Sequence, residues 1–226
     1  MDLRVPVGAR VLVVADQPGA GSLLLGILAG LVRQHRGRFE MAGLQRADDS
    51  IHGWRRRVAY LPPDGGFYPW LSPDEVLELA ATLAGFGRAE RRRRVEMMIH
   101  RYHLGTDLRR PARRGGPAML QKVGLAAAMI SEPEIVLLDE PLRAVRDPER
   151  AELLSLPGPR RTMLIASQDP AAEAGLVDRI VLLRQGRVAV QARTQELAEQ
   201  GLPLSLRGIS ALAELRQAAT AEAATA

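Results

Sequence analysis

The sequence predicts an α/β protein, a parallel sheet covered by helices and interrupted by an all-helical insert. Three observations predict it. Strand and helix patterns alternate along most of the chain. Several short runs are apolar throughout, as strands buried on both faces of a parallel sheet are. Residues 72–132 carry only helical patterns between two strand-rich parts. A length of 226 residues suits one large domain, or one domain with a subdomain.

In chain order, Val11-Leu12-Val13-Val14-Ala15 is an apolar strand ending in a Pro/Gly turn, and residues 22–32 then read as a helix closed by Gly30 and later Gly37. Residues 38–42 and 58–61 are two further strand candidates. Ser72-Pro73-Asp74-Glu75 supplies an N-cap, an N1 proline and first-turn acids for a helix running to about Gly85. Residues 88–102 and 118–130 complete the helical insert. Ile135-Val136-Leu137-Leu138 and Met163-Leu164-Ile165-Ala166 are strand cores, and Asp169-Pro170 caps a short helix before the strand at 180–183. Gln185-Gly186 turns a hairpin into residues 187–191. The expected division is a core formed by 1–71 and 133–191, a helical subdomain at 72–132, and a helical tail at 192–226, frayed at its Ala/Thr/Glu end.

Composition removes several classes of function. Hydrophobic residues at 46% and charged residues at 25% are ordinary globular values. No run has the length of a membrane span, and the start Met1-Asp2-Leu3-Arg4-Val5-Pro6 lacks a signal-peptide core, so a cytoplasmic chain is expected. With no cysteine and four scattered histidines, thiolate chemistry is excluded and a zinc site is not expected. The net charge is +5, yet only one of the 31 basic residues, Lys122, is a lysine. Arginine runs at 55–57, 91–94 and 109–114 have no aromatic residues interleaved as stacking platforms. They read as solvated faces and loop ends, with an anionic lipid or nucleic-acid patch as the competing reading.

The chemistry begins at Asp16-Gln17-Pro18-Gly19-Ala20-Gly21-Ser22, between the first strand and its helix, where backbone N–H groups can cradle phosphate oxygens. A phosphate-binding loop of the GxxxxGK[ST] type needs a lysine, and here Gly21 runs directly into Ser22 while Asp16 stands at the initial glycine. The loop is one residue short, and by itself it reads first as a structural strand-to-helix turn and only second as a phosphate loop. Ile135-Val136-Leu137-Leu138-Asp139-Glu140-Pro141 adds a second signal. Such a strand delivers Asp139 to a nucleotide-bound magnesium ion and Glu140 to the γ-phosphate, where it can polarise water.

Together these blocks resemble the nucleotide-binding subunit of an ABC transporter. Supporting blocks are Leu24-Leu25-Gly26-Ile27-Leu28-Ala29-Gly30-Leu31 after the loop, and Tyr60-Leu61-Pro62 with Leu71-Ser72-Pro73-Asp74-Glu75 in the Q-loop region. Others are Gln121-Lys122-Val123-Gly124-Leu125-Ala126-Ala127-Ala128 after the signature position, Ala166-Ser167-Gln168-Asp169-Pro170 at the switch, and the 178–187 strand pair. The resemblance implies a P-loop NTPase (RecA-like) core sheet with an inserted helical lobe. It also implies head-to-tail dimers holding ATP between one P-loop and the opposite signature, and coupling to membrane permease subunits. Its cofactors would be ATP and Mg2+, held at Gly19, Ala20, Gly21, Ser22 and Leu23, with Ser22 and Asp139 on the metal.

The departures fall on the nucleotide contacts. The Walker A lysine is absent, the Q-loop glutamine falls at Pro63, the signature at Gly115-Gly116-Pro117-Ala118, and the switch histidine at Gln168. The resemblance implies an aromatic residue that stacks adenine ahead of the first strand, and residues 1–10 contain no aromatic residue. The expectation is a degenerate subunit in which Glu140 is vestigial, paired with an ABC partner in a hetero- or homodimer and peripheral on the inner face of the membrane, with no nucleic acid. Two alternatives stay open: an ATP-hydrolysing subunit with an altered loop, and an ABC-like scaffold or nucleic-acid factor. Half of the eight aromatic residues, Tyr60, Phe67, Tyr68 and Trp70, fall in one stretch. That clustering points to a permease anchor at Phe67, Tyr68 and Trp70, with core packing as the competing reading.

Overall fold

A computed structural model describes residues 3–33, 40, 41, 44, 45, 54, 57–158 and 160–225. The expected strand at 38–42 falls partly outside these residues, as do Arg55 and Arg56. The main sheet has six strands: β2 (Arg10–Ala15), β5 (Val58–Leu61), β6 (Ile135–Asp139), β7 (Thr162–Ala166), β8 (Arg179–Arg184) and β9 (Arg187–Arg193). Their spatial order is β5-β6-β7-β2-β8-β9. All neighbours pair in parallel except β8 and β9, joined by Gln185 and Gly186 at φ 49° and 71°, the left-handed pair that a type I′ turn requires. A small sheet orders β1 (Arg4–Val5), β3 (Glu40–Met41) and β4 (Leu44–Gln45).

Alternation along the strands separates two apolar clusters. Val11, Val13, Ile135, Leu137, Leu164 and Val181 face α1 (Ala20–Leu28) through Leu24, Leu25 and Leu28. Leu12, Val14, Val136, Leu138 and Ile165 face the other way, onto a cluster that runs into the helices between β5 and β6. Those helices are α2 (Pro73–Leu83), α3 (Arg88–Arg101) and α4 (Gly116–Met129). Helix α2 starts as its sequence predicts. The Ser72 hydroxyl accepts from the Glu75 N–H, and the Glu75 carboxylate accepts from the Ser72 N–H at 2.8 Å. Lys122, the one lysine, is buried on α4, where its ammonium donates to the His103 carbonyl and pairs with Glu149 at 2.8 Å.

Several boundaries differ from expectation. Helix α1 occupies Ala20–Leu28 rather than 22–32, because its N–H groups already turn behind Gly19 and the chain reverses at Gly30, φ 77°. The segment after Asp169 is one 3-10 turn, Pro170–Glu173. Helix α5 (Glu149–Ser155) was not expected, although Pro148 and the first-turn acids Glu149 and Glu152 announce it. The tail is two helices, α6 (Thr194–Glu199) and α7 (Leu206–Thr225), parted around Gly201 and Pro203. No described helix is long and apolar enough to cross a membrane.

Candidate functional site

The site lies at the carboxyl ends of the parallel strands, where open α/β sheets bind ligands. Register puts Asp139 opposite Ala166, and Ala166 opposite Val13. The loop after β2 therefore rises beside the ends of β6 and β7. Gly19 sits at φ 79° with nothing within 4 Å of where a Cβ would be, so backbone conformation demands the glycine and the space before it stays open. A Cβ on Gly21 would come 3.1 Å from the Ala166 Cβ, so that glycine permits close approach of β7. Behind the loop, the first N–H groups of α1 have no intrahelical partner and carry the positive end of the helix dipole. A cavity of about 250 Å³ opens there, bounded by the loop, Asp139, Glu140, Ser167, Gln168 and Leu206.

The carboxylates of this cavity are held by the protein itself. Asp139 is 1% exposed; the Ser22 hydroxyl donates to its Oδ1 at 2.9 Å and the Tyr60 hydroxyl to its Oδ2 at 3.1 Å. Burial first, and the Asp139 charge second, hold the Tyr60 hydroxyl protonated far above the ordinary phenol range. Glu140 adopts φ 48° and its Oε1 accepts the Gln168 backbone N–H at 3.0 Å. Its Oε2 lies 3.6 Å from an Arg143 guanidinium nitrogen. Burial pushes the Glu140 pKa up, against the opposing pull of Arg143 and of the Gln168 N–H. The switch segment is clamped further by a buried pair between Arg150 and Glu173 at 2.6 Å.

The fold thus gathers Gly19, Gly21, Ser22, Asp139, Glu140 and Gln168 around one cavity. Ala20 and Leu23 stand apart from it. The Ala20 N–H donates to the Gln17 carbonyl at 3.2 Å, the Leu23 N–H to the Gly19 carbonyl at 2.8 Å, and the Leu23 side chain is 54% exposed. Gly115, Gly116, Pro117 and Ala118 end a 3-10 turn and open α4, and none of them lines this cavity. Tyr68 and Trp70 are exposed and stacked, with ring centroids 4.7 Å apart, whereas Phe67 packs against the main apolar cluster. Tyr68 and Trp70 are thus fully presented to solvent, while Phe67 is half-buried between that cluster and an open groove.

Two contributors were not singled out from sequence. Tyr60 was grouped with the aromatic stretch, and only the β5–β6 pairing shows its hydroxyl on Asp139. Buried Gln121 donates to the Pro63 carbonyl at 3.0 Å and accepts the Ala144 N–H at 2.9 Å, tying α4 to the segments that follow β5 and β6. A polar residue in the apolar run of α4 was the available signal.

For a magnesium nucleotide the fit is partial. The Ser22 hydroxyl and Asp139 carboxylate form a pair that would hold Mg2+, and Gly21 and Ser22, in the first turn of α1, have backbone N–H groups with no acceptor within the helix. Asp16, Asp139 and Glu140 all border the cavity, however, and among the described residues no basic side chain does. Arg143 is drawn to Glu140, and Arg33 lies outside the cavity lining. A triphosphate would meet three carboxylates with no cation beneath its β- and γ-phosphates.

Strand order and the glycine loop between β2 and α1 define a P-loop NTPase fold. The family model described as "ABC transporter" matches residues 1–143. An uncharacterized ABC transporter ATP-binding protein of Synechocystis is 33% identical over 199 residues, which make up 84% of this chain and 55% of the relative. The chain thus spans about half the length of that relative. The molybdate/tungstate import ATP-binding protein WtpC of Archaeoglobus fulgidus is 31% identical over 198 residues, 84% of this chain and 80% of the relative. A solved ATP-binding subunit of an ABC transporter superposes with a TM-score of 0.75 at 27% identity, covering 87% of this chain and 83% of that one. The chain belongs to the ABC transporter family.

Proposed function

We propose that this subunit binds ATP weakly, hydrolyses it negligibly, and serves as the structural or regulatory half of a head-to-tail cassette pair docked on a membrane permease. One observation carries the reading: the phosphate cavity is bordered by three carboxylates, and among the described residues by no cation. A lysine on phosphate is a charge-assisted contact worth about 1.5–3 kcal/mol, so its loss weakens ATP binding about ten- to a hundredfold. Phosphoryl transfer depends on charge stabilisation and positioning, which Glu140 cannot replace alone. The signature segment adds to the deficit, because Pro117 has no N–H to offer a phosphate across an interface.

The permease would dock where the 72–132 helical lobe meets the core. A groove of about 690 Å³ there is lined by Leu31, Tyr60, Gly65, Phe67, Gly124 and Ala128, and the exposed Tyr68–Trp70 stack follows it in the chain. A second reading, slow hydrolysis through the altered loop, is favoured by the retained Ser22–Asp139 pair. ATP titration and steady-state turnover of the purified chain with Mg2+ separate the two. The proposal expects negligible turnover that Glu140→Gln leaves unchanged. Turnover at the rate of an intact cassette, abolished by that substitution, overturns it.

A further inference from the structure

The tail takes part in the glycine-loop cavity. Among the described residues that line it, all but one come from the ends of β2, β6 and β7, the loop or the switch segment; the exception is Leu206, the first residue of α7. Leu206 is 41% exposed, and it sets an isobutyl group on a rim shared with Asp16, Ser22, Asp139, Glu140 and Gln168. The two segments meet through β8. The Asp16 N–H donates to the Leu183 carbonyl at 3.1 Å, which lays the start of the loop along the end of that strand. Helix α7 packs across β8 and β9, where its Ile209, Leu212 and Ala213 belong to the same apolar cluster as Leu182 and Val190.

Most of the tail is firmly held. Leu202 and Leu204 pack against that cluster, and the Leu202 N–H donates to the Leu197 carbonyl at 2.8 Å. Farther along, Glu214 pairs with Arg184 at 3.5 Å, while Arg216 pairs with Glu196 and donates to the Gln191 carbonyl at 2.8 Å. The first turn of α7 is the weaker part. Its cap is the Ser205 hydroxyl, which accepts the Gly208 N–H at 3.1 Å, and Leu206 and Arg207 are exposed.

Size and chemistry make Leu206 an obstacle to phosphate. The cavity, at about 250 Å³, is smaller than the roughly 300–1,000 Å³ of small-molecule sites. A phosphate brought against an isobutyl group gives up hydration to a wall that returns no hydrogen bond. Arg207 does not line the cavity, so the tail brings no cation to that wall.

We propose that Leu206 is a determinant of what the cavity accepts: the first turn of α7 closes it against polyphosphate, and nucleotide enters only as that turn is displaced. The inference rests on the reading above of this cavity as a weak nucleotide site, and adds a residue outside the loop and the strand ends that weakens it further. Tail docking and ligand binding then oppose each other. By linkage the opposition is reciprocal, so the factor that the tail takes from the ligand's affinity is the factor that the ligand takes from tail docking.

The test titrates the full chain with ATP and Mg2+ and, separately, with inorganic triphosphate. Leu206→Ser should raise the affinity for both at least about fivefold, the worth of the turn it opens, because the obstacle meets phosphate rather than base. Ser205→Ala probes the same turn from outside the cavity lining: a serine cap is worth about fivefold in an equilibrium constant, and affinity should rise by about that factor. Matching thermal midpoints certify the fold of both variants. In the wild type, bound nucleotide should quicken amide hydrogen exchange across residues 206–213. Affinities that neither variant raises, whether or not the wild type binds ATP measurably, overturn the inference, as do a gain with ATP alone and tail amides that bound nucleotide leaves unchanged or slows. Weak wild-type binding without a gain in the variants overturns this inference alone, whereas vigorous turnover by the wild type overturns the proposed function.

Discussion

Restoring the missing cation is the sharpest perturbation of the site. The variant combines a lysine inserted after Gly21 with Asp16→Gly. Helix α1 is anchored by buried Leu24, Leu25 and Leu28 and by the Ser22–Asp139 bond at 2.9 Å, so a residue inserted in its first turn, before Ser22, pushes Ala20 and Gly21 out into the loop while the helix from Ser22 onward keeps its place. The lysine adds about 1.5–3 kcal/mol through a charge-assisted phosphate contact. Removing the Asp16 carboxylate relieves a repulsion that, for two unit charges taken about 7 Å apart, is about 0.6 kcal/mol in bulk water and about 2 kcal/mol at an effective dielectric of about 20. The sum, about 2–5 kcal/mol, corresponds to a gain in ATP affinity of about thirtyfold to several thousandfold. Calorimetric titration with ATP and Mg2+ at fixed ionic strength reads it directly. An affinity within threefold of wild type, in a variant whose circular dichroism and thermal midpoint match the parent, refutes the view that charge deficit limits this site.

Three further outcomes follow from the same contacts. Arg150→Met should destabilise the fold by about 3–5 kcal/mol in urea denaturation by stranding buried Glu173, and adding Glu173→Leu should recover most of that loss; equal stability of the single and double variants would count against it. Tyr68→Ser/Trp70→Ser should change the unfolding free energy by no more than about 0.5 kcal/mol because both rings are exposed, while abolishing recovery with permease-containing membranes; retained recovery removes the anchor role. The Glu75 carboxyl is held below its ordinary value by the Ser72 N–H and then by the Ser72 hydroxyl, so its contribution is present above pH 4.5 and lost as pH falls through the depressed folded value. Glu75→Gln should therefore flatten the acid limb of the stability curve near that pH, and an unchanged limb denies the capping carboxylate a role there.

How much was legible depended on how local each signal was. The capping box at Ser72 and Glu75 spans three residues, the hairpin turn at Gln185-Gly186 spans two, and the buried strands announce themselves by unbroken apolar runs; local chemistry decides all of these. The missing lysine, Pro117 and Gln168 were likewise plain in the sequence, because a lost residue type is lost in any fold.

Sequence by itself thus determined the alternating α/β order, the glycine loop that opens α1, and the poverty of cations in that loop. Only tertiary structure decided what surrounds them. Tyr60 reaches Asp139 across 79 residues and Ser22 reaches it across 117, through a strand order in which β2 sits between β7 and β8. No local periodicity encodes such a register, because it is set by which apolar faces pack together. The same holds for the aromatic stretch. Phe67 turns into the main cluster and Tyr68 and Trp70 turn out, since Gly65 at φ 94° lies so close to α4 that a Cβ there would stand 2.7 Å from the Leu120 carbonyl oxygen. That close approach fixes where the segment after β5 lies, and with it which rings meet solvent.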